Sequence, residues 1–378
     1  MLATVTLAAA LTLSQAERAL YDKPPLNTLR DCGDGPLEIG VCRLPAALSA
    51  ADAQARLAGA DLVWWRDGAD QFVVVARRDT DQSFLCCAVR GRMEHIAGDL
   101  WAMRLRIADL DSALLDISAE PAAPGATTGV WRGPKAPPRP EVADALQGKM
   151  FDVLLASKYL AAPRRLWIYT PPGFDPRKRY PVVYMSDGAY RLDQARSIEP
   201  LILKGELPPL LLVGIWQGSD PKFDLRGAEY LLGSPDGMGF FLKHESFLLK
   251  EVLPYVESRF GGSTDRKDRI VTGFSDGAAW AISMGLRHPD LFASVIAQSF
   301  VWTPAAKGVE GALSTRFYLS AGTLEPHFYR ETLAFAGRAR AAGHEVVLEK
   351  TVSGHSGPIW NVLLLHGLKW AFAGRPTL

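Results

Sequence analysis

Three side chains in this sequence have the types and the order needed to cleave an ester by nucleophilic attack. Ser275 lies in Gly273-Phe274-Ser275-Asp276-Gly277, between a strand-like run (Arg269 to Thr272) and a helical stretch (Ala278 to Arg287). In that context G-x-S-x-G makes a nucleophile elbow. A tight turn lifts the serine above a sheet, and side chains at the two glycine positions would clash with neighbouring backbone. The helix N-terminus beneath the serine favours developing negative charge. The plain alternative is a Gly-rich turn in which the serine only caps a helix.

A serine hydroxyl needs a base at neutral pH. Seven histidines are available. His355, in Ser353-Gly354-His355-Ser356-Gly357, occupies a loop between the last strand and the last helix, and it completes the order serine, acid, histidine. His327 is the nearest rival. His288 reads as a helix C-cap, His95 falls in a β region and His366 in the last helix, and His244 and His344 read as solvated helix positions. The acid that orients the imidazole is expected to be Glu325, just past a strand in Ala321-Gly322-Thr323-Leu324-Glu325-Pro326, with Glu331 and Asp290 as rivals. The backbone N–H groups of Asp276 and Ala189 are the candidate oxyanion donors, the second from Met185-Ser186-Asp187-Gly188-Ala189. Asp187 reads as structural, bonding local backbone in that turn.

These residues need a framework that delivers loops to one edge of a sheet. From residue 149 onward, compact apolar strands (Leu166 to Tyr169, Val182 to Met185, Leu210 to Trp216, Val295 to Ala297, Phe317 to Ser320, Val346 to Lys350) alternate with helical stretches (Phe240 to Phe260, Phe328 to Ala342, Ile359 to Ala373). That pattern implies an α/β fold, a mostly parallel sheet covered on both faces. Before it, residues 61–118 alternate as short strands with an Asp-Gly hairpin turn at Arg66-Asp67-Gly68-Ala69-Asp70, as in a small all-β sandwich. Residues 119–148 are rich in Pro and Gly and read as a linker or an extended wrapping segment. The expected division is a signal peptide at 1–16, a β-sandwich domain at 17–118, the linker at 119–148 and an α/β-hydrolase catalytic domain at 149–378.

Further motifs resemble the esterase-D-like family, which includes enterobactin (enterochelin), feruloyl and acetylxylan esterases and mycolyltransferases. Tyr180-Pro181-Val182-Val183-Tyr184-Met185-Ser186-Asp187-Gly188 is similar to the family's YPVLYLLDG. Leu166 to Phe174 resembles its entry strand, and Arg287-His288-Pro289-Asp290-Leu291-Phe292 the segment after its elbow helix. Ser299-Phe300-Val301-Trp302 resembles an S-x-S-x-x-W loop. The acid loop and the Gly-Asp-Leu-Trp at residues 98–101 resemble those of enterobactin esterases, β-sandwich included. The resemblance implies a cofactor-free serine esterase, with siderophore-type esters as the substrate guess and feruloyl or acetylxylan esters as the alternative. A binding protein with a degenerate site is the non-enzymatic alternative. Arg226-Gly227-Ala228-Glu229-Tyr230 resembles a loop abutting the active site. Arg226, Glu229 and Trp302 are therefore candidate substrate contacts, and an Arg226–Glu229 pair is the structural alternative. The chain departs from the pattern at Asp276, where many relatives carry an aromatic residue or Met, and at Leu324, where an Arg is frequent.

The remaining composition bounds the partners. Of 378 residues, 42 are basic and 41 acidic, so nothing favours nucleic acid or an anionic membrane. The sequence has no apolar run long enough for a transmembrane helix. The expected partner is a small-molecule ester. Leu2 to Leu13 is an apolar run followed by Ser14-Gln15-Ala16, as in a signal peptide. A periplasmic or secreted location is the expectation, and a cytoplasmic one the alternative. Cys32 and Cys42 flank a Gly-rich loop suited to a disulfide. The adjacent Cys86 and Cys87 should face opposite sides of a strand. No cysteine or histidine spacing suits zinc.

Overall fold

The computed structural model describes residues 29–122, 124–233, 238–301 and 313–374, with the backbone alone for Tyr190, Arg191, Leu192 and Met238. The segment read as a signal peptide, and Trp302, lie outside the described residues. The first strands are β1 (Val41–Leu44), β2 (Leu62–Arg66), β3 (Gln71–Arg77), β4 (Phe84–Cys87), β5 (Gly91–Arg92), β6 (Glu94–Ala97), β7 (Leu100–Ile107), β8 (Leu114–Glu120) and β9 (Gly129–Arg132). They form two sheets, one ordered β1-β7-β3-β2 with β6 on β7, the other β5-β4-β8-β9. The β2–β3 hairpin closes where expected. Asp67 N–H donates to the Gln71 carbonyl at 2.9 Å, and Gly68 supplies a φ of 88° that a side chain would resist.

Side-chain alternation along β3 explains how it is covered twice. Phe72 and Val74 pack in one cluster with Leu85, Leu115 and Ile117 of the second sheet. Val73 and Val75 face the other way, onto Ala53 and Leu57 of helix α1 (Ala50–Leu57). Ser49 caps that helix by accepting the Asp52 N–H.

Two expectations for this region change. The stretch read as a linker holds β9, which pairs with β8, and Trp131 lies 5.1 Å from Phe72, ring to ring. Its Pro and Gly content masked a short edge strand. Cys86 and Cys87 do not face opposite ways. Their sulfurs are bonded to each other across a cis peptide, so the alternation of an all-trans strand does not apply. Cys32 and Cys42 form the expected disulfide, at 2.03 Å.

The second half contains β10 (Lys149–Leu155), β11 (Arg164–Thr170), β12 (Val182–Met185), β13 (Leu211–Ile215), β14 (Arg269–Phe274), β15 (Ser294–Gln298), β16 (Arg316–Gly322) and β17 (Glu345–Thr351). They form one sheet in the order β10-β11-β13-β12-β14-β15-β16-β17. The β10–β11 and β11–β13 pairs are antiparallel and the later pairs parallel. This is an arrangement of the α/β-hydrolase kind. Alternate residues of β12 enter opposite cores, Val182 and Tyr184 on one face, Val183 and Met185 on the other. The helices are α2 (Arg191–Leu203), α3 (Leu225–Tyr230), α4 (Met238–Phe247), α5 (Leu253–Phe260), α6 (Asp276–Arg287), α7 (Pro326–Ala341) and α8 (Gly357–Phe372). A π-helical stretch, Leu248–Val252, joins α4 to α5, where the sequence reads as a single helix.

Candidate active site

Ser275 stands between β14 and α6 with φ 55° and ψ −130°, a conformation L-residues avoid. The two elbow glycines show why the turn closes. A Cβ on Gly273 would lie 2.3 Å from the Gly277 carbonyl oxygen, and one on Gly277 2.1 Å from Ser186 Oγ. The Ser275 N–H donates to the Gln298 carbonyl at 2.9 Å, which ties the turn to β15. Phe274, Ser275 and Asp276 are half-buried, so the tip of the elbow meets solvent.

The acid and base loops meet each other, and Trp360, whose ring meets His355 at 4.7 Å, stacks at 4.3 Å on Phe274, the residue before Ser275. His355 Nδ1 lies 2.8 Å from Glu325 Oε2. Glu325 Oε1 accepts the Ser299 hydroxyl at 2.6 Å and the Gly322 N–H at 2.8 Å. The Ser299 hydroxyl oxygen in turn accepts the Trp360 indole N–H at 2.9 Å. Each Glu325 oxygen is therefore committed, and the carboxylate is only 6% exposed. The imidazole stacks on Phe328 at 4.0 Å and meets the edge of Trp360 at 4.7 Å, which leaves its ring plane little freedom. Two of the rivals, His327 and Glu331, and the capping His288 are engaged elsewhere. His327 Nδ1 meets Arg330 at 2.6 Å, Glu331 is 3.5 Å from Arg330, and His288 meets Glu245 at 2.8 Å. Sequence reasoning named Ser299 only by resemblance, and it missed Phe328 and Trp360, whose roles depend on contacts between distant segments.

The candidate oxyanion donors sit at turns. Asp276 begins α6, and Ala189 lies in a 3₁₀ turn, Gly188–Tyr190, at the end of β12. A Cβ on Gly188 would meet Gly214 O at 2.7 Å, so only glycine fits there.

The charged groups pair differently from expectation. Arg226 does not meet Glu229. Its Nε and Nη2 donate to the two Asp187 oxygens at 2.6 and 3.1 Å, and its Nη1 donates to Asp276 Oδ2 at 2.5 Å. Asp187 thus bonds a guanidinium from a distant helix, and within its own turn it accepts the Ser186 hydroxyl at 3.3 Å. Glu229 is buried against Arg164, with contacts of 2.5 and 2.7 Å, and it also accepts the Gly218 N–H. Burial raises the Glu229 carboxyl, but Arg164, His244 and the Gly218 N–H together outweigh it and hold the group below the ordinary carboxylate range. With both oxygens committed to the chain itself, Glu229 serves the loop. His244 and His344 are buried, not solvated.

The sequence of this catalytic half matches a known family. The family described as "Putative esterase" matches residues 157–362. The chain belongs to this esterase family. Its sequence is 25% identical over 245 residues to the iron(III) enterobactin esterase of Dickeya dadantii (strain 3937), covering 58% of this chain and 54% of that protein. It is 26% identical over 146 residues to the uncharacterised protein YjcH of Bacillus subtilis (strain 168), covering 38% of this chain and 58% of that one. The chain therefore spans just over half the length of these curated relatives. Among solved structures, the enterobactin esterase FES from Shigella flexneri, in the presence of enterobactin, shares the fold with a TM-score of 0.65 at 19% identity, covering 86% of this chain and 98% of that one. A ferulic acid esterase gives a TM-score of 0.51 at 21% identity, covering 60% of this chain and 98% of that one. Among the described residues no helix is long and apolar enough to cross a membrane.

Proposed function

We propose that this member of the esterase family is a serine carboxylic ester hydrolase using Ser275, His355 and Glu325. The observation that carries the reading is the 2.8 Å contact between Glu325 and His355, linked through the Trp360 ring to the elbow whose serine is held at positive φ on a helix N-terminus. Ser275 Oγ attacks the ester carbonyl carbon while its proton passes to His355 Nε2. Glu325 fixes the Nδ1–H tautomer and stabilises the imidazolium. The Asp276 and Ala189 N–H groups receive the tetrahedral oxyanion. His355 then protonates the leaving alcohol, and water, deprotonated by His355, releases the acid from the acyl-enzyme.

For substrate we propose siderophore-type esters, on the similarity to proteins named as enterobactin esterases. Feruloyl or carbohydrate-linked esters are the second reading, favoured by the likeness to a ferulic acid esterase. Residues 17–118 are read as a β-sandwich domain and 149–378 as the catalytic domain. Both disulfides suit an oxidising compartment and favour export. The test is a fluorophosphonate probe and 4-nitrophenyl acetate on the purified protein. Wild type should label and turn over, and Ser275→Ala should do neither, losing roughly 10⁴–10⁶ in kcat with the fold intact. Activity in Ser275→Ala above a tenth of wild type removes the assignment. An unlabelled, inactive wild type favours a binding protein.

A further inference from the structure

Asp276 puts a carboxylate one residue from the nucleophile, on the residue whose N–H is assigned to the oxyanion. Negative charge develops there during reaction, so an uncompensated carboxylate would oppose catalysis. The chain compensates with Arg226, but only in part. That guanidinium is shared, with two donors on Asp187 and one on Asp276. Asp224, which caps α3 by accepting the Gly227 N–H, also acts on Asp276. The charged groups acting on Asp276 are thus one guanidinium, the carboxylates of Asp187 and Asp224, and the His355 imidazole. One full positive charge stands against three carboxylates, Asp276 included.

Toward solvent this network shows one guanidinium and two carboxylates, since Asp224 is exposed and Arg226 and Asp276 are exposed to the same degree. Asp187 is 1% exposed, while the Arg226 and Asp276 side chains are 25% and 26% exposed, so Asp276 borders the same opening as Ser275. Burial raises the Asp276 carboxyl, with Arg226 pulling the other way. Three of the five Arg226 N–H donors are already bonded to carboxylates, so its charge is largely spent before a further anion arrives.

We infer that Asp276, held by Arg226, is a specificity-determining residue that selects uncharged or cationic esters and turns away esters whose acyl group is anionic. This rests on the esterase reading above and narrows it. Among catechol-bearing esters it favours those with protonated hydroxyls over a strongly anionic ferric tris-catecholate complex.

The test uses three 4-nitrophenyl esters of matched length on the whole chain: the methyl adipate, the hydrogen adipate, which is anionic, and a 6-(trimethylammonio)hexanoate. Wild type should prefer the uncharged over the anionic ester by on the order of tenfold in kcat/KM, less as salt rises toward about 0.5 M. Asp276→Asn, which keeps size and backbone, should bring the ratio to about one to threefold. Arg226→Gln, which leaves two carboxylates uncompensated, should widen it. Opposite movements in the two folded variants cannot come from general loosening of the site. A ratio unchanged in Asp276→Asn, or a wild type that prefers the anionic ester, overturns the inference and leaves the esterase reading standing. Failure of wild type to hydrolyse any of the three overturns both.

Discussion

Adding one methyl group at Gly354 should disable the enzyme while leaving it folded. Gly354 immediately precedes His355, and its backbone presses on the first β region. A Cβ placed there would lie 1.5 Å from the Ala88 carbonyl oxygen and 2.4 Å from its carbonyl carbon. Ordinary contact would need the loop to retreat by about 2 Å. The retreat is blocked, because a Cβ on Gly322 of the acid loop would lie only 1.9 Å from the Ser353 carbonyl oxygen, and Leu324 N–H holds that same oxygen at 2.9 Å. The strain must therefore reach His355 and its 2.8 Å contact with Glu325. A displacement of about 1 Å in a reacting group costs on the order of 10²-fold, so Gly354→Ala should lose at least that in kcat. Overpacking should also lower stability by roughly 1–3 kcal/mol. Gly357→Ala is the control, since its Cβ would meet nothing within 4 Å. Hydrolysis of 4-nitrophenyl acetate and thermal unfolding of both variants give the comparison. A Gly354→Ala enzyme within threefold of wild-type kcat would refute the reasoning.

Three other outcomes are expected. In Glu325→Gln the amide oxygen should take the Ser299 and Gly322 hydrogen bonds and turn its NH₂ toward His355 Nδ1, imposing the wrong tautomer; kcat should fall on the order of 10³–10⁴, and a loss under tenfold would point to another acid. Burial pushes the His244 imidazole down to about 4, so its contribution is present above the unfolded value near 6.5 and is lost as pH falls toward about 4, at a cost approaching about 3 kcal/mol; urea midpoints should drop across that window and drop less in His244→Phe, and equal slopes would count against it. If Leu2 to Leu13 directs export, the mature chain should begin near Glu17 by intact mass, whereas a retained Met1 with reduced thiols would reject it.

The parts of the site that could be read from sequence depend on neighbours in the chain. The elbow is local, because strand, glycine, serine, glycine and helix are contiguous and their sterics act within five residues. The acid and base loops follow strand ends, so alternation of apolar strands and helices placed them. What stayed hidden depends on long-range pairing. Arg226 finds Asp187 and Asp276, 39 and 50 residues away, and not the glutamate one turn along its own helix. His244 looks like a polar position on a helix, yet Tyr230 and Trp280 close over it, with ring centroids at 5.5 and 5.9 Å. Short strands such as β9 hide for a related reason. Four residues inside a Pro-rich stretch have no periodicity of their own, and pairing with β8 decides their conformation.

The same long-range contacts bear on what the first β region is for. Leu324, beside the acid, packs in the cluster with Phe72, Met103 and Ile117. Leu114 N–H bonds the Val352 carbonyl at 2.9 Å, and its side chain packs with Trp360, which touches His355 and Ser299. Ala88 presses on Gly354. The loops of Glu325 and His355 thus rest on residues from the other half of the chain. A module that only recruited substrate would have no reason to share its core with the acid loop. An arginine at position 324, which the resemblance to enterobactin esterases leads one to expect, would be costly to bury there without a partner, whereas leucine fits the apolar cluster. The departure from the family pattern and the packing of the two halves therefore have one physical explanation: here the β region forms part of the wall that holds the Glu325 and His355 loops.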